Sequence, residues 1–423
     1  MDYQVVKGMR DLYPDQMRVI TWMMDAWRRV SVRNGFEEYE APIFEYLDLF
    51  TAKSGDEIVS QLFSLEDRGG RKLAVRPEIT PTLARMINAK INSLPRPIKW
   101  FSMPRVCRAE NPQKGRLREF FQWNVDIIGS DEMLADAECI FVAVDFLREI
   151  GLMPADVQVR IGSRPLAAAA LAAAEVSPDA QPAVLAVLDK RPKITPAEFD
   201  ALAAKAGLSP EQSAAICKFQ DAASPADVLA LLGDSVAEPV AKLQELLARL
   251  AAMGVADYCT LDLRVVRGLA YYTGIVYEVF DAGANLRALA GGGRYDNLLE
   301  VLGGPKVGAC GFGMGDVVLG ILLEEKGKLP ESLSAGSVEV FVIDGGDGLL
   351  DKVLDVVGRL RRRGVSADFS YKRQNVGKQL KAANGRQAKK ALILLGGENV
   401  AVKNLATGEQ AEMTLEQFVG GIG

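Results

Sequence analysis

Phe101–Gly129, FSMPRVCRAENPQKGRLREFFQWNVDIIG, has the pattern of a β-hairpin, with extended runs on both sides of a turn at Asn111–Gly115. The turn region is strongly cationic, because it is surrounded by Arg105, Arg108, Lys114, Arg116 and Arg118. Fixed guanidinium groups can clamp a polyphosphate and stabilise charge that develops on a phosphoryl group. Phe120 or Phe121 can offer a ring on which a base stacks. The alternative interpretation is a charged surface hairpin without a ligand.

The segments around the hairpin predict an α+β fold, an antiparallel sheet with flanking helices. Asp15–Asn34 places apolar residues near the helical spacing of 3.6, and Gly35 follows as a stop signal. Short extended runs and one helix then alternate without the strict rhythm of a parallel sheet. The predicted strands are Phe36–Pro42, Lys72–Arg76, Ile98–Phe101 and Gln122–Ile128, and the helix is Thr80–Ala89.

An alanine-rich segment, residues 166–254, predicts a helical insertion into this domain. A hydroxyl residue followed by proline marks a helix start, since the hydroxyl caps the helix and proline suits its first position. Such pairs are Ser177-Pro178, Thr195-Pro196, Ser209-Pro210 and Ser224-Pro225, and Glu198 and Gln212 complete capping boxes for two of them. Extended runs at Tyr258–Val265, Ile275–Phe280 and Ala309–Phe312 indicate that the first domain then resumes.

A short polar linker at residues 330–337 precedes a predicted C-terminal α/β domain. Its pattern is a buried strand at Val338–Ile343, a helix at Leu349–Arg363 and a second buried strand at Ala391–Leu395. The predicted boundaries are 1–165 and 256–328 for the two parts of the first domain, 166–255 for the insertion, and 336–423 for the C-terminal domain.

Charge is concentrated in the C-terminal domain. Between Arg359 and Lys390 there are eleven basic residues and one acid, Asp368, in a chain whose net charge is −5. Such a patch attracts phosphates and makes binding salt-dependent. With Tyr371 and several amides nearby, the hypothesis is an RNA contact surface, and the alternative is a solvated helix face.

Composition limits the remaining possibilities. The 423 residues are 49% hydrophobic and 25% charged, which is typical of a globular chain of about three domains. The net charge is −5 rather than strongly positive, so DNA is not an expected partner. No apolar run reaches the ~18 residues of a membrane span, so a membrane is not an expected partner either. The five cysteines are scattered and odd in number, which disfavours a disulfide framework or a zinc site and favours a reducing cytoplasm.

The chain contains no histidine. This absence excludes Ser-His-Asp and Cys-His catalysis, the HExxH metalloproteases and most zinc sites. No Gly-Lys is followed by Ser or Thr, so a Walker A phosphate loop is excluded as well. The chemistry must therefore use arginine, lysine, carboxylates, amides and hydroxyls, or a metal held by oxygen.

Three further clusters have residues suited to ligand contacts. RPEIT at 76–80 places a carboxylate and a hydroxyl at a strand-to-helix junction, where an ammonium group can be held. RGLAYY at 267–272 places a cation beside two phenols on a turn. GGGRYD at 291–296 allows close approach of the backbone to a ligand. Each cluster alone is weak evidence for a ligand site, because such residues are common at helix starts, in cores and in turns.

In this order, the clusters resemble the histidyl-tRNA synthetase family of class II aminoacyl-tRNA synthetases. Phe36–Leu49 resembles class II motif 1, the cationic hairpin resembles motif 2, and GFGMGD at 311–316 resembles motif 3. RGLAYY and GGGRYD resemble the two histidine-specific motifs, which are more discriminating than the general ones. GMRDLYP at 8–14 resembles the start of the family, and the C-terminal domain resembles its anticodon-binding domain.

The resemblance implies roles for individual residues. For ATP it implies Arg108 at the α-phosphate, Arg116 at the outer phosphates, Phe120 on adenine, Glu110 in the same site, and Arg267 between ATP and the histidine carboxylate. Arg108 and Arg267 are the implied catalytic residues. For histidine it implies Glu78, Thr80 and Gln122 at the α-amino group, Asp126 and Tyr272 at the two imidazole nitrogens, and Tyr271 and Arg267 in the same pocket. For tRNA it implies Gln113, Lys114, Arg118, Arg373 and Lys378.

The implied reaction is attack of the histidine carboxylate on the α-phosphorus of ATP, followed by transfer of the acyl group to tRNA. Neither step requires an enzyme histidine, because positioning and charge stabilisation provide most of the catalysis. The implied cofactors are ATP and Mg²⁺, the latter held by phosphates and a carboxylate rather than by a metal site made of protein ligands alone. The implied partners are histidine, ATP, tRNA and a second copy of the chain, paired through motif 1.

One position departs from the family pattern. Val318 stands where class II motif 3 normally carries an arginine that stacks on adenine. Either ATP is held differently in this chain, or adenylation is impaired. Impairment would suit an alternative function, that of a catalytically silent paralogue acting as the regulatory subunit of ATP phosphoribosyltransferase in histidine biosynthesis. The basic C-terminal domain and the intact set of Arg108, Arg116, Arg267, Glu78 and Gln122 oppose that alternative.

Overall fold

The structure is a computed structural model that describes residues 3–51, 61–191, 194–266, 271–334, 338–372 and 374–422. The chain divides into two compact units, residues 1–328 and 329–423. The finer division of the first unit around an insertion stays a prediction. None of the described helices is long and apolar enough to cross a membrane.

The first unit is built on a large mixed sheet that is mainly antiparallel. Its described strands are β1 (Glu37–Glu38), β2 (Phe44–Tyr46), β3 (Phe63–Glu66), β4 (Lys72–Val75), β5 (Ile98–Ser102), β6 (Arg105–Cys107), β7 (Glu119–Ile128), β8 (Val157–Ser163), β9 (Cys259–Leu261), β10 (Ile275–Asp281), β11 (Ala290–Arg294) and β12 (Ala309–Gly315). The strand order in the large sheet is β1-β5-β7-β12-β11-β10-β8-β9, and β6 also pairs with β7. Among these described strands, only the β1–β5 and β8–β9 pairs are parallel. Strands β2, β4 and β3 form a separate antiparallel sheet. The predicted antiparallel sheet with flanking helices is confirmed.

The cationic hairpin is also confirmed. Strands β6 and β7 pair antiparallel, with Val106 opposite Phe120. The connecting loop is closed by the Arg108 amide, which donates to the Arg118 carbonyl at 2.8 Å. Strand β7 is central because it also pairs with β5 and β12, so the sequence after the turn is fixed on both edges.

The helices of the first unit pack against the sheet or fall within the alanine-rich segment that the sequence predicts to be an insertion. They are α1 (Pro14–Arg33), α2 (Leu47–Thr51), α3 (Thr80–Asn88), α4 (Met133–Glu149), α5 (Arg164–Ala173), α6 (Gln181–Leu188), α7 (Pro196–Lys205), α8 (Pro210–Gln220), α9 (Pro225–Leu232), α10 (Ala237–Ala252), α11 (Leu298–Val301) and α12 (Asp316–Glu325). Trp27 of α1 stacks on Trp123 of β7, with ring centroids 6.1 Å apart and planes inclined by 15°. Both rings are fully buried, so this pair fixes α1 on one face of the sheet.

Three helices of the alanine-rich segment start at the predicted capping signals. Thr195 with Glu198 and Ser209 with Gln212 both form complete capping boxes, and the Ser224 side chain accepts from an amide in the first turn of α9. Ser177-Pro178 does not start a helix, which is a correction. The Ser177 carbonyl instead accepts from the Ala180 amide, and this turn delays the start of α6 to Gln181.

The second unit has the predicted α/β architecture. Its described strands are β13 (Val340–Asp344), β14 (Ala367–Phe369), β15 (Lys390–Leu394), β16 (Asn399–Asn404) and β17 (Gln410–Thr414), and its helices are α13 (Leu350–Arg362), α14 (Val376–Gly385) and α15 (Leu415–Gly421). The order is β14-β13-β15-β16-β17, parallel across the first three strands and antiparallel across the last three. Val340 and Val342 pack with α13 and α15, whereas Phe341 and Ile343 pack with α14. Burial on both faces explains the continuous apolar run in this strand.

Candidate active site

The face of β7 that points away from Trp123 carries the Phe120 ring and then three polar side chains, Gln122, Asn124 and Asp126, which we call the polar row. Phe120, Gln122, Asn124 and Asp126 occupy every second position of the strand, and successive residues of a strand point to opposite faces. The neighbouring strand β12 places a glycine opposite each of the last three: Gly315 opposite Gln122, Gly313 opposite Asn124, and Gly311 opposite Asp126. The sequence GFGMG therefore leaves one face of β12 bare, while Phe312 and Met314 are buried on the other face.

The polar side chains of β7 can lie across this face of β12 only because glycine has no side chain there. A Cβ atom on Gly313 would lie 2.7 Å from the Gln122 Nε2 atom and 3.4 Å from the Asn124 Nδ2 atom. On β11, a Cβ atom on Gly293 would lie 2.9 Å from the ring of Tyr272. The glycines of both strands thus make room for side chains of the site, which is the close approach that GGGRYD predicted.

One cavity of about 570 Å³ collects most of the predicted residues. Those that line it are Glu78, Thr80, Arg108, Glu110, Arg116, Phe120, Gln122, Asp126, Tyr271 and Tyr272. These residues come from three separate parts of the sequence, and the fold brings them together. Their individual roles stay predictions.

Charged groups and an aromatic ring form one end of the cavity. Arg116 makes a bidentate ion pair with Glu110. The Arg108 guanidinium lies 5.3 Å from the Phe120 ring centroid, and its Nε atom donates to the Pro77 carbonyl at 3.0 Å. Phe121 instead packs beneath Arg105, with 4.7 Å between the guanidinium and the ring, so Phe120 is the ring that faces the cavity.

The other end of the cavity contains phenols and buried carboxylates. The Tyr271 hydroxyl donates to Glu78 at 2.8 Å, and the Tyr271 ring packs against Tyr272 at 5.1 Å. Residues 76–80 join β4, which ends at Val75, to α3, which begins at Thr80, so the predicted strand-to-helix junction is present. Both Glu78 and Thr80 are buried, so a ligand here would be shielded from water.

Asp126 has an unusual environment at the floor of the cavity. The pKa of its carboxyl is raised to about 7, mainly by burial; a hydrogen bond from the Tyr295 hydroxyl opposes this rise, and the negative charge of Glu78 contributes to it. Three buried acceptor atoms of the polar row lack a hydrogen-bond partner among the described residues: Gln122 Oε1, Asn124 Oδ1 and Asp126 Oδ2. Such orphaned acceptors in a cavity indicate that a ligand with donor groups binds there.

The described residues predicted for tRNA, namely Gln113, Lys114, Arg118 and Lys378, are not among those that line this cavity. Gln113 and Arg116 close the turn through reciprocal backbone hydrogen bonds of 3.0 and 2.9 Å, and exposed Lys114 pairs with Glu325 at 3.1 Å. Arg118 donates to the Glu110 carbonyl at 3.0 Å and the Lys7 carbonyl at 3.3 Å, so it holds the N-terminal segment. Lys378 is exposed on α14 in the second unit. Arg267 and Arg373 lie outside the described residues.

Sequence reasoning missed several residues of the site. Tyr295, the donor to Asp126, stands in the GGGRYD motif, of which only the glycines were interpreted. Asn124 continues the alternation of Gln122 and Asp126, and this period of two was the signal that could have revealed it. Arg294 of the same motif has a structural role, because it is buried and paired with Asp136 and Asp296.

Two further features concern ATP. Val318, at the start of α12, lines the cavity and is buried, so no cation extends from this position. In the part of the chain that the structure describes, no cluster of three or more carboxylate or cysteine side chains could hold a metal ion.

The comparisons with known proteins agree over nearly the whole chain. The family described as histidyl-tRNA synthetase matches residues 8–315, and the anticodon binding domain matches residues 338–423. A histidine–tRNA ligase of Opitutus terrae is 40% identical over 98% of this chain and 97% of its own length. One from Halobacterium salinarum is 39% identical over 99% of this chain and 97% of its own length. The crystal structure of histidyl-tRNA synthetase from a Nostoc species covers 100% of this chain and 99% of its own, with a TM-score of 0.84 and 25% identity.

The matched region contains the glycine-faced strands, the cationic hairpin and the polar row of β7, so the sequence similarity and the geometry of the cavity concern the same residues. The chain therefore belongs to the histidyl-tRNA synthetase family.

Proposed function

We propose that this protein ligates histidine to its tRNA through a histidyl-adenylate formed from ATP. The observation that carries the proposal is the polar row on β7, whose orphaned acceptors share one cavity with Arg108 and Arg116. A cavity with cations at one end and buried acceptors at the other suits a nucleotide and an amino acid side by side. Relatives that match over their full length are named histidine–tRNA ligases.

At the cationic end, Arg108 contacts the α-phosphate and Arg116 contacts the outer phosphates. Arg116 is held in place by Glu110, and Phe120 packs on the adenine ring. An oxygen of the histidine carboxylate attacks the α-phosphorus, the bond to pyrophosphate breaks, and the negative charge that develops is stabilised by fixed guanidinium groups. Arg267 shares this task according to the family pattern.

At the other end, Glu78, Thr80 and Gln122 hold the α-amino group, and Asp126 and Tyr272 bind the two imidazole nitrogens. A neutral imidazole presents one donor and one acceptor, which a carboxylate and a phenol can both satisfy. Tyr295 orients Asp126 through its hydroxyl, and this hydrogen bond lowers the pKa of the carboxyl and so favours its ionised form. A site that satisfies both nitrogens rejects amino acids with apolar side chains of the same size.

Mg²⁺ accompanies ATP and neutralises charge on the phosphates. No three of the described cavity carboxylates group closely enough to enclose the ion, which fits an ion that would be held by phosphate oxygens and one carboxylate, such as Glu110. A terminal ribose hydroxyl of tRNA then attacks the acyl carbon of the adenylate and AMP leaves. Gln113, Lys114 and Arg118 contact the acceptor end of tRNA, and the C-terminal domain contacts its anticodon.

The protein acts as a homodimer in the cytoplasm. Apolar side chains are exposed on the small sheet and the segment before it, at Ile43, Phe44, Tyr46 and Leu65. A second copy of the chain would remove this surface from water, as the resemblance of Phe36–Leu49 to motif 1 implies.

The experiment that tests the proposal is ATP–pyrophosphate exchange with each of the twenty amino acids in the presence of Mg²⁺. We expect exchange with histidine alone. Stimulation by another amino acid would contradict the imidazole assignment of Asp126 and Tyr272. Histidine binding without exchange would favour the regulatory paralogue, whose specific support is Val318 in place of the motif 3 arginine.

A further inference from the structure

Val318 leaves one side of the cavity without the cation that class II motif 3 normally provides. The Phe120 ring lies near the end of β12, since a Cβ atom on Gly315 would lie 3.7 Å from its Cδ2 atom. Val318 follows three residues later on α12 and lines the same cavity. A base packed on Phe120 would therefore meet an aliphatic side chain from α12, where a guanidinium group is usual.

A different arginine, Arg287, lies in the segment just before β11, and its side chain extends toward Val318. The Gly315 amide donates to the Leu289 carbonyl at 3.2 Å, which continues the pairing of Ala290 with Met314 beyond the end of β11. Arg287 precedes Leu289 by two residues, and α12 begins directly after Gly315. Because the two segments are antiparallel, Arg287 lies beside the first residues of α12. A Cβ atom on Gly115 would lie 3.3 Å from Val318 Cγ2 and 3.9 Å from Arg287 Cδ. The two side chains therefore share one neighbourhood.

The guanidinium of Arg287 is uncommitted. Among the cavity arginines that the structure describes, Arg108 donates to a carbonyl, Arg116 pairs with Glu110, and both Arg160 and Arg264 pair with Asp262. Arg287 has no ion pair or hydrogen bond to any described residue. Within the described lining, it is the one arginine whose donors all remain available to a ligand.

The loop that presents Arg287 is held by the sheet. The buried Asp281 carboxylate at the end of β10 accepts from the Asn285 amide at 3.1 Å and from the Leu286 amide at 2.9 Å. The backbone immediately before Arg287 is thus fixed. A fixed backbone lowers the entropy lost when the side chain closes on a ligand.

We propose that Arg287 binds ATP, its guanidinium packing on the adenine face opposite Phe120 in place of the arginine missing at position 318. This inference rests on the proposed use of ATP. A planar guanidinium stacks on aromatic faces wherever its backbone starts, so the contact can be provided by a neighbouring strand as well as by α12.

The test measures KM for ATP and KM for histidine in the exchange reaction of the full-length protein, together with calorimetric binding of ATP and adenosine. We expect Arg287→Ala to raise KM for ATP by roughly 10-fold and to leave KM for histidine unchanged. Arg287→Lys should recover little, because an ammonium group does not stack as a plane. The double variant Arg287→Ala/Val318→Arg should regain ATP affinity, since it returns the guanidinium through α12.

Arg249→Ala is the matched control, because Arg249 is an exposed arginine of the insertion paired with Glu245 at 3.2 Å. Unchanged KM and unchanged ATP binding in Arg287→Ala would overturn the inference while the proposed function stands. Weaker ATP binding with unchanged adenosine binding would overturn the adenine contact in favour of the phosphates. If the wild-type protein shows no exchange with histidine, the proposed function fails, and weaker binding of both ATP and adenosine by Arg287→Ala would still support the contact.

Discussion

Asp126 combines a functional requirement with a cost to stability. In the proposed site its buried carboxylate accepts the imidazole donor, but burial, with a smaller contribution from the charge of Glu78, raises its pKa to about 7. The unfolded chain holds the same carboxyl near its usual pKa of about 3.9. Between these two pH values the folded protein binds more protons than the unfolded chain, so stability falls as pH rises through this window.

Asp126→Asn should therefore stabilise the protein at neutral pH while it removes histidine activation. The amide can still accept the hydrogen bond from Tyr295 without becoming charged. We expect the free energy of unfolding at pH 8 to increase by ~1–4 kcal/mol, an upper range set by about three pKa units of 1.36 kcal/mol each. Urea unfolding at pH 8 and pH 5 measures it, and the two proteins should become more similar at pH 5. Equal stability at pH 8 would contradict the assigned pKa.

In the proposed site, Tyr295 acts on histidine through Asp126, to which it donates a hydrogen bond. Its hydroxyl lowers the pKa of the carboxyl, so Tyr295→Phe should raise that pKa above about 7 and leave Asp126 largely protonated at neutral pH. We expect KM for histidine to rise by about 10-fold at pH 7 and by less at pH 9, where the carboxylate is ionised again. Exchange kinetics at both pH values measure this, with KM for ATP as the internal control. An increase that does not depend on pH would point to a packing defect.

Among the elements, β12 decides whether the site has room. The side chains of Gln122 and Asn124 lie over Gly313, and Asp126 lies over Gly311. Facing residues of adjacent strands lie on the same side of a sheet, so Gly313 and Gly311 leave the space into which these polar side chains extend. The unit of the binding site is therefore the strand pair rather than either motif alone.

Gly313→Ala should damage histidine binding more than it damages the fold. The new Cβ atom would displace the flexible end of Gln122, 2.7 Å away, from the position in which we propose that it holds the α-amino group. We expect kcat/KM for histidine in exchange to fall by ~10–100-fold, since a hydrogen bond to a charged group is lost. Gly320→Ala is the matched control, because it lies in α12 with no atom within 4 Å of the added methyl. It should leave exchange unchanged and stabilise the protein by ~0.5–1 kcal/mol.

The elements also show what the sequence could and could not predict. Turn residues, helix caps and the period of β7 are local, so the hairpin, the capping boxes of Thr195 and Ser209, and the strand containing Asp126 were predicted correctly. Two kinds of information are not local. The pairing of Tyr295 with Asp126 depends on strand order, and the approach of Arg287 to Val318 depends on the register of β11 and β12. The pattern of residues within one segment does not predict which residues of two strands will face each other.

At the scale of the whole molecule, the cavity and the domain that matches the anticodon-binding family belong to separate units. The cavity lies in residues 1–328, whereas the basic run from Arg359 to Lys390 lies in residues 329–423. Part of that run serves the fold. Arg359 pairs with Glu416 and Arg386 with Asp368, while Arg361 and Arg363 donate to backbone carbonyls. Formal charge along the sequence thus overstates the charge that remains for RNA.

Lysines on and beside α14 are better candidates for that contact. Lys378 and Lys381 are exposed one turn apart on this helix, and Tyr371 before it is 87% exposed while its ring packs on Phe369 at 5.1 Å. An exposed ring beside cations offers both a stacking surface for an unpaired base and charge for its phosphate.

Lys378→Glu should therefore separate the two steps of the reaction. The exchange reaction does not use tRNA, so its rate should stay at the wild-type value, whereas KM for tRNA in aminoacylation should rise by roughly 10-fold as a cation is replaced by an anion facing phosphate. The dependence of KM on salt should weaken at the same time, because fewer counterions are released when tRNA binds. Lys403→Glu, on β16 outside the basic run, makes the same charge change in the same unit and should have a much smaller effect. Equal effects of the two variants would show that tRNA responds to the net charge of the unit rather than to the face of α14.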